Sequence, residues 1–293
     1  MPSFPEALNI SLVEPINETV DVINSRFGDA FHDGSIWLLR HVLVPFEGAL
    51  RALPWWLVLA GVFLLSLHAT RRWGHAAGYT ACVLLVGCLG LWDQLIQTLA
   101  LVLVATLIAV LLAVPLGILS ARSDGLRRLL MPLLDVMQTM PSFVYLVPVL
   151  MLFGLGKVPA ILATIIYATP PLIRLTDLGI RQVSGELTEA ARSFGTTRWQ
   201  LLITVQLPLA RPSIMAGLNQ TIMMALGMVV IASMIGARGL GEDVLEGIQT
   251  VNIGKGLQAG IAIVILAIVM DRITQGYGRD RRQRMTQADK AKP

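Results

Sequence analysis

LIQTLALVLVATLIAVLLAVPLGIL, residues Leu95 to Leu119, is a run of 25 residues with no charged side chain. It exceeds the ~20 apolar residues that a bilayer-spanning helix needs. Working outward, similar runs cover Pro54–Ala69, Gly74–Leu91, Leu129–Phe153, Val158–Leu175, Pro212–Ile235 and Leu257–Ile273. The reading is an all-α polytopic membrane protein with about seven transmembrane helices. Composition agrees, since 55% of the 293 residues are hydrophobic and only 14% are charged. Lys and Arg collect in particular loops instead of forming a basic stripe interleaved with aromatics, so a nucleic-acid partner is excluded.

The edges of the runs carry further information. Trp55, Trp56, Trp73 and Trp92 sit where aromatic belts form. Pro115 and Gly117 are expected to kink or loosen the third span, and Pro141, Pro148, Pro170 and Pro171 the fourth and fifth. Residues 1 to about 35 read as a polar, partly helical extramembrane tail, with no basic start and apolar run of a signal peptide. Ile36–Arg51 mixes apolar residues with Arg40, His41, Glu47 and Arg51, which suits a helix lying on the membrane surface with Trp37 at headgroup level. Cys82 and Cys88 share one apolar run and read as buried free thiols, and the four histidines are scattered without ligand spacing, so no metal is expected. Counting basic residues loop by loop puts the richer set, with Arg71, Arg72, Arg122, Arg127, Arg128, the 184–208 region and the C-terminal tail, inside. The N-terminal tail is then outside.

One polar segment interrupts the apolar chain: SGELTEAARSFGTTRWQLLITVQLP, Ser184 to Pro208. Leu187, Ala190, Ala191 and Phe194 fall on one face of a helix, with Glu189, Arg192 and Ser193 opposite. Ser184 is expected to cap this helix, and Gly195 to end it in a left-handed conformation. Thr197 and Gln200 have capping-box spacing for a second short helix, and Pro208 is expected to mark the turn back into the membrane.

Glu189-Ala190-Ala191, then Gly195 after three residues, then Val205-x-Leu207-Pro208 after nine more, resembles the EAA loop of permease subunits in bacterial ATP-binding cassette importers. The family more often has Ile where this chain has Val205. Met137–Pro159, Tyr167–Ile180 and Asn219–Leu245 further resemble the glycine betaine and proline importer permeases, so the resemblance covers roughly residues 90–275. It implies a homodimer of this chain, two cytoplasmic ATPase subunits carrying ATP and Mg, and an extracytoplasmic substrate-binding protein. No cofactor is expected on this chain, which has no G-x-x-x-x-G-K-[ST] motif, and it is not expected to be an enzyme. Carried over, Glu189, Ala190, Ala191, Gly195, Leu207 and Pro208 form an ATPase-coupling element, with Leu187, Arg192 and Phe194 on the same helix.

The expected organisation is a tail and interfacial helix (1–53), two peripheral scaffold spans (54–91), a five-span permease core (95–275) containing the 184–208 loop, and a basic cytoplasmic tail (276–293). Polar and aromatic residues in the fourth and sixth spans, namely Gln138, Met140, Pro141, Phe143, Tyr145, Asn219, Gln220 and Thr221, are candidates for a translocation pathway. Asn219 and Gln220 fit interhelical hydrogen bonding equally well. Aromatic faces hold quaternary ammonium groups, yet only Phe143, Tyr145, Phe153 and Tyr167 stand in the core, so tight selection is assigned to the separate binding protein. Glu242, Asp243 and Glu246 are candidate contacts for that protein, or simply acids at a helix start. The expected function is ATP-driven import of glycine betaine or a related compatible solute such as choline, carnitine, proline or histidine. An ion-coupled secondary carrier is the rival, disfavoured by the lack of an inverted repeat and by span centres whose only acid is Asp135. An intramembrane hydrolase lacks paired Ser, His or carboxylate groups.

Overall fold

A computed structural model describes residues 13–278, and they form a helical bundle. Helix α1 (Val13–Leu38) passes through a π-helical turn, Leu39–Leu43, into α2 (Val44–Ala52). Helices α3 (Trp55–Thr70) and α4 (Trp73–Cys88) form a hairpin, and α5 (Trp92–Arg122) follows as the longest helix. Then come α6 (Asp124–Thr139), α7 (Ser142–Phe153), α8 (Lys157–Ala168), α9 (Pro170–Arg181), α10 (Gly185–Ser193) and α11 (Arg198–Gln200). A second π-helical turn, Leu201–Gln206, leads into α12 (Leu207–Gly227), followed by α13 (Val229–Ser233), α14 (Leu240–Gln249) and α15 (Ile253–Gly278).

Four helical stretches are long and apolar enough to cross a membrane: Trp92–Arg122, Lys157–Arg181, Arg198–Gly227 and Ile253–Gly278. Two bent pairs raise the number to six: Val13–Ala52 with Trp55–Thr70, at 101°, and Asp124–Thr139 with Ser142–Phe153, at 98°. Six of the seven expected runs overlap these stretches, and Gly74–Leu91, helix α4, stands outside them. That helix has 16 residues, about 24 Å against the ~30 Å of a hydrocarbon core, and its cysteines, Cys82 and Cys88, are free but exposed to the outside of the bundle where burial was expected. The expected surface helix at Ile36–Arg51 is the end of one helical stretch beginning at Val13, so most of the presumed tail is helical; residues 1–12 and the tail from 279 onward lie outside the described residues.

The prolines act unevenly. Pro141 coincides with the 98° break between α6 and α7, whereas α5 continues through Pro115 to Arg122 and α7 through Pro148. Pro170 and Pro171 interrupt the fifth span at Thr169 only, whose hydroxyl bonds the carbonyl of Ile165. Pro208 does not turn the chain: the stretch Arg198–Gly227 runs through it. The π-helical turn just before it widens the backbone where a proline lacks its N–H and crowds the preceding turn. The sixth apolar run, in contrast, divides at Met228 between α12 and α13.

The fifth span, α8 and α9, is the centre of the bundle, with 72% of its most apolar window enclosed against 44% or less for the other three. Lipid tails are as apolar as leucine, so helices in a membrane gain most from close packing of small residues. Glycines provide it here. A Cβ on Gly117 of α5 would stand 2.6 Å from the Thr176 side chain of α9, and one on Gly179 of α9 would stand 2.7 Å from Ser213 of α12. Gly217 of α12 presses on the backbone of Leu172, and the Thr221 hydroxyl donates to the Ala168 carbonyl at 2.8 Å. The α3–α4 hairpin packs outside this core, with Gly276 of α15 against Ala69 and Gln258 donating to the Leu89 carbonyl at 2.7 Å.

Two ends of the bundle can be distinguished. At one, Glu47 of α2 pairs with Lys157 at 2.6 Å, and Arg51 reaches both Glu47 and Asp93. At the other, His68 meets Tyr277, Gly278 lies against Met215, and Arg122 binds the Arg198 carbonyl. The second end therefore gathers the Arg71–Arg72 turn, the α5–α6 corner, the α10–α11 loop and the end of α15.

Candidate functional site

Helix α10 is an amphipathic rod with an uncovered apolar face. None of its residues is buried; Leu187 and Ala190 are exposed, Ala191 is half-buried, and the Phe194 ring just past its end is 90% exposed. Glu189 and Arg192 are exposed as well. Gly195 takes φ +81°, its N–H donates to the Arg192 carbonyl at 2.8 Å, and the Thr196 N–H reaches the Ala191 carbonyl at 3.4 Å. This pair of bonds is the Schellman termination that a glycine in the left-handed region permits. The Thr196 hydroxyl adds a third bond, to the Ala191 carbonyl. Thr197 and Gln200 form the expected reciprocal capping box. Ser184, however, does not cap α10 with its side chain; its carbonyl accepts from the Thr188 N–H. Leu207 is half-buried and Pro208 exposed in the first turn of α12.

The base of this loop holds a charged cluster absent from the sequence-derived site. Asp177 is only 1% exposed, and its two carboxylate oxygens pair with Arg127 of α6 and Arg181 of α9, each at 3.2 Å. Arg181 also pairs with Asp124 at 2.7 Å and donates to the Ser120 carbonyl at 2.9 Å. Arg122 lies over the Trp199 ring, 5.1 Å from its centroid. The Asp177–Arg181 part was legible as an i,i+4 pair; Arg127 is 50 residues away and gives no local signal.

The pathway candidates divide into three groups. Gln138, Met140, Pro141, Phe143 and Tyr145 cluster around the α6–α7 break, which Tyr145 spans by donating its hydroxyl to the Met137 carbonyl. Phe143 is exposed and Tyr145 buried. Asn219 donates to Asp271 at 2.7 Å and accepts from Thr274 at 2.6 Å, so its amide ties α12 to α15. Thr221 is occupied with Ala168. Gln220, one residue away from both, opens instead onto a cleft of about 310 Å³ lined by Tyr167, Met223, Met224, Gly227, Met228 and Ile231. The methionines near 223–228 thus face a space as well as packing. Beyond Asp135, Asp177 and Asp271 stand toward the ends of their helices, and each is engaged: Asp135 by Arg174, Asp177 by Arg127 and Arg181, and Asp271 by Asn219 and Gln275.

Of the candidate contacts for a binding protein, Asp243 and Glu246 both pair with Lys255, at 3.4 and 2.6 Å, while Glu242 is exposed at the start of α14.

Comparison with known proteins places this geometry. The glycine betaine/proline betaine transport system permease protein ProW of Escherichia coli (strain K12) is 45% identical over 293 residues, spanning 96% of this chain and 82% of the relative. The glycine betaine/carnitine transport permease protein GbuB of Listeria monocytogenes serotype 1/2a (strain 10403S) is 44% identical over 283 residues, spanning 95% and 98%. Among solved structures, the MetNI methionine ABC transporter in an inward-facing conformation matches with a TM-score of 0.56 at 21% identity, over 66% of this chain and 92% of the other, which supports the fold. The model of the binding-protein-dependent transport system inner membrane component matches residues 113–283, containing the α10 loop, the Asp177 cluster and the Gln220 cleft, and the chain belongs to that family of ABC importer permeases.

Proposed function

We propose that this chain is the membrane permease of an ATP-driven importer of glycine betaine or proline betaine, acting as a homodimer with two cytoplasmic ATPases and an extracytoplasmic binding protein. The observation that carries this reading is the α10 rod, held by a Schellman termination and a capping box while its apolar face stays uncovered. A groove on an ATPase would cover Leu187, Ala190, Ala191 and Phe194, with Glu189 and Arg192 at the rim. ATP and Mg belong to those ATPases, and this chain performs no chemistry. The loop's place beside Arg71, Arg72 and Arg122 supports a cytoplasmic position for this end, with the N-terminus outside.

The Gln220 cleft opens on the protomer surface, and a second copy facing it would turn it into a closed passage. Its lining of one tyrosine, one amide and methionine sulfur suits a permissive transit site for a bulky cation better than a tight one. Specificity then rests on the binding protein, whose contact on this chain includes Glu242, an exposed acid at the start of α14 without an ion pair to Lys255. The rival ion-coupled carrier needs an intramembrane carboxylate open to an ion, and Asp135, Asp177 and Asp271 are already paired or hydrogen-bonded.

Competition against labelled glycine betaine in vesicles carrying the permease, its ATPases and its binding protein tests the substrate. Proline betaine should compete, with carnitine and choline weaker and histidine without effect. Uptake of histidine in place of betaines would overturn the substrate assignment.

A further inference from the structure

We infer that Asp177, clamped between Arg127 and Arg181, is the joint that passes movement of α10 to the central helix α9. The inference rests on the proposed role of α10 as the ATPase-coupling helix. Only Gln182, Val183 and Ser184 separate Arg181, the last residue of α9, from α10. At that point one buried carboxylate is gripped on both oxygens by guanidinium groups from two helices. Arg181 then extends to the first residue of α6, Asp124, and to the Ser120 carbonyl near the end of α5. The loop is anchored to the same corner where it leaves, through Arg122 to the Arg198 carbonyl at 3.0 Å and onto the Trp199 ring.

This arrangement differs from ordinary packing in two ways. Apolar contacts slide at little cost, whereas a buried carboxylate cannot leave its arginines without standing unpaired in a region of low dielectric, so the joint resists both translation and rotation. Secondly, α6 is tied to α9 again at its far end by the Asp135–Arg174 pair. The α10 base, α6 and α9 therefore move as one block up to the break at Pro141. From α9 the movement reaches the cleft directly, because Gly217 of α12 sits on Leu172 and Gln220 lies one turn further along α12. Asp177 touches no substrate; it is a positioning residue.

The test compares wild type with Asp177→Asn, Arg127→Ala and Arg127→Lys in proteoliposomes containing the ATPases and binding protein, reading solute taken up per ATP hydrolysed. Coupling networks of this kind shift by amounts that correspond to about two- to thirtyfold, so Asp177→Asn and Arg127→Ala should lower the ratio within that range with ATPase assembly intact. Arg127→Lys, which keeps a charge beside Asp177, should recover much of it. An unchanged ratio in both variants overturns the inference, as does a proportional fall of uptake and hydrolysis together, the mark of a purely structural role. If Asp177→Asn fails to assemble, Arg127→Ala decides alone, because its side chain is half-exposed and its loss spares the core. Wild-type uptake that does not depend on ATP would instead remove the coupling role of α10 itself, a result distinguishable from failure of the joint.

Discussion

Gly195→Val should lower ATP-driven uptake by about tenfold or more while leaving the permease folded in the membrane. The backbone at 195 has φ +81°, and a Cβ there would meet no other atom within 4 Å, so the whole cost is conformational. A β-branched residue in the left-handed region loses ~1–2 kcal/mol. Helix α10 has nine residues and none buried, so it has little packing with which to absorb that loss. The strain would be relieved by giving up the bonds from Gly195 to Arg192 and from Thr196 to Ala191, which unwinds the turn carrying Ala191 and Phe194. Gly195→Asn, which tolerates the left-handed region, should stay close to wild type. Pull-down of the ATPase and uptake measured in parallel check the outcome, and normal coupling in the valine variant would refute the role given to α10.

Gln220→Trp should block transport by about tenfold or more without impairing ATPase binding. Gln220 is exposed on α12 and faces a cleft of about 310 Å³ whose other walls are Tyr167, Met223, Met224, Gly227, Met228 and Ile231. An indole occupies much of such a space, and a homodimer would place two of them in the passage. Gln220→Ala enlarges the cleft and should be mild. Its neighbours are poor controls: Asn219 holds Asp271 and Thr274, and Thr221 holds Ala168, so their replacement would disturb helix packing instead. Solute uptake in proteoliposomes with ATP hydrolysis measured alongside separates a blocked passage from a damaged coupling.

The parts of this molecule that depend on short-range chemistry were legible in the sequence. Apolar runs gave the helical membrane class, Gly195 gave the end of α10, and Thr197 with Gln200 gave the next cap, since each feature is decided within a turn or two. Ser184 was misjudged because its capping depends on a side-chain geometry that composition does not specify. Pro208 was misjudged because a π-helical turn accommodates it. Of the seven expected spans, the second alone falls outside the long apolar stretches, because it folds into a helix of 16 residues. In the candidate site, helix α10 could be read from spacing, but Arg127 reaches Asp177 across 50 residues and Asp271 was hidden inside an apolar run. Contacts of that kind are created by packing, as at Gly117, Gly179 and Gly217, and no periodicity announces them.

Proteoliposomes holding the permease with its ATPases and loaded binding protein, compared with vesicles holding the permease alone under a sodium or pH gradient, test the central claim most directly. Solute should accumulate in the first only when ATP is supplied, and not at all in the second. Accumulation by the permease alone on an ion gradient would contradict the account.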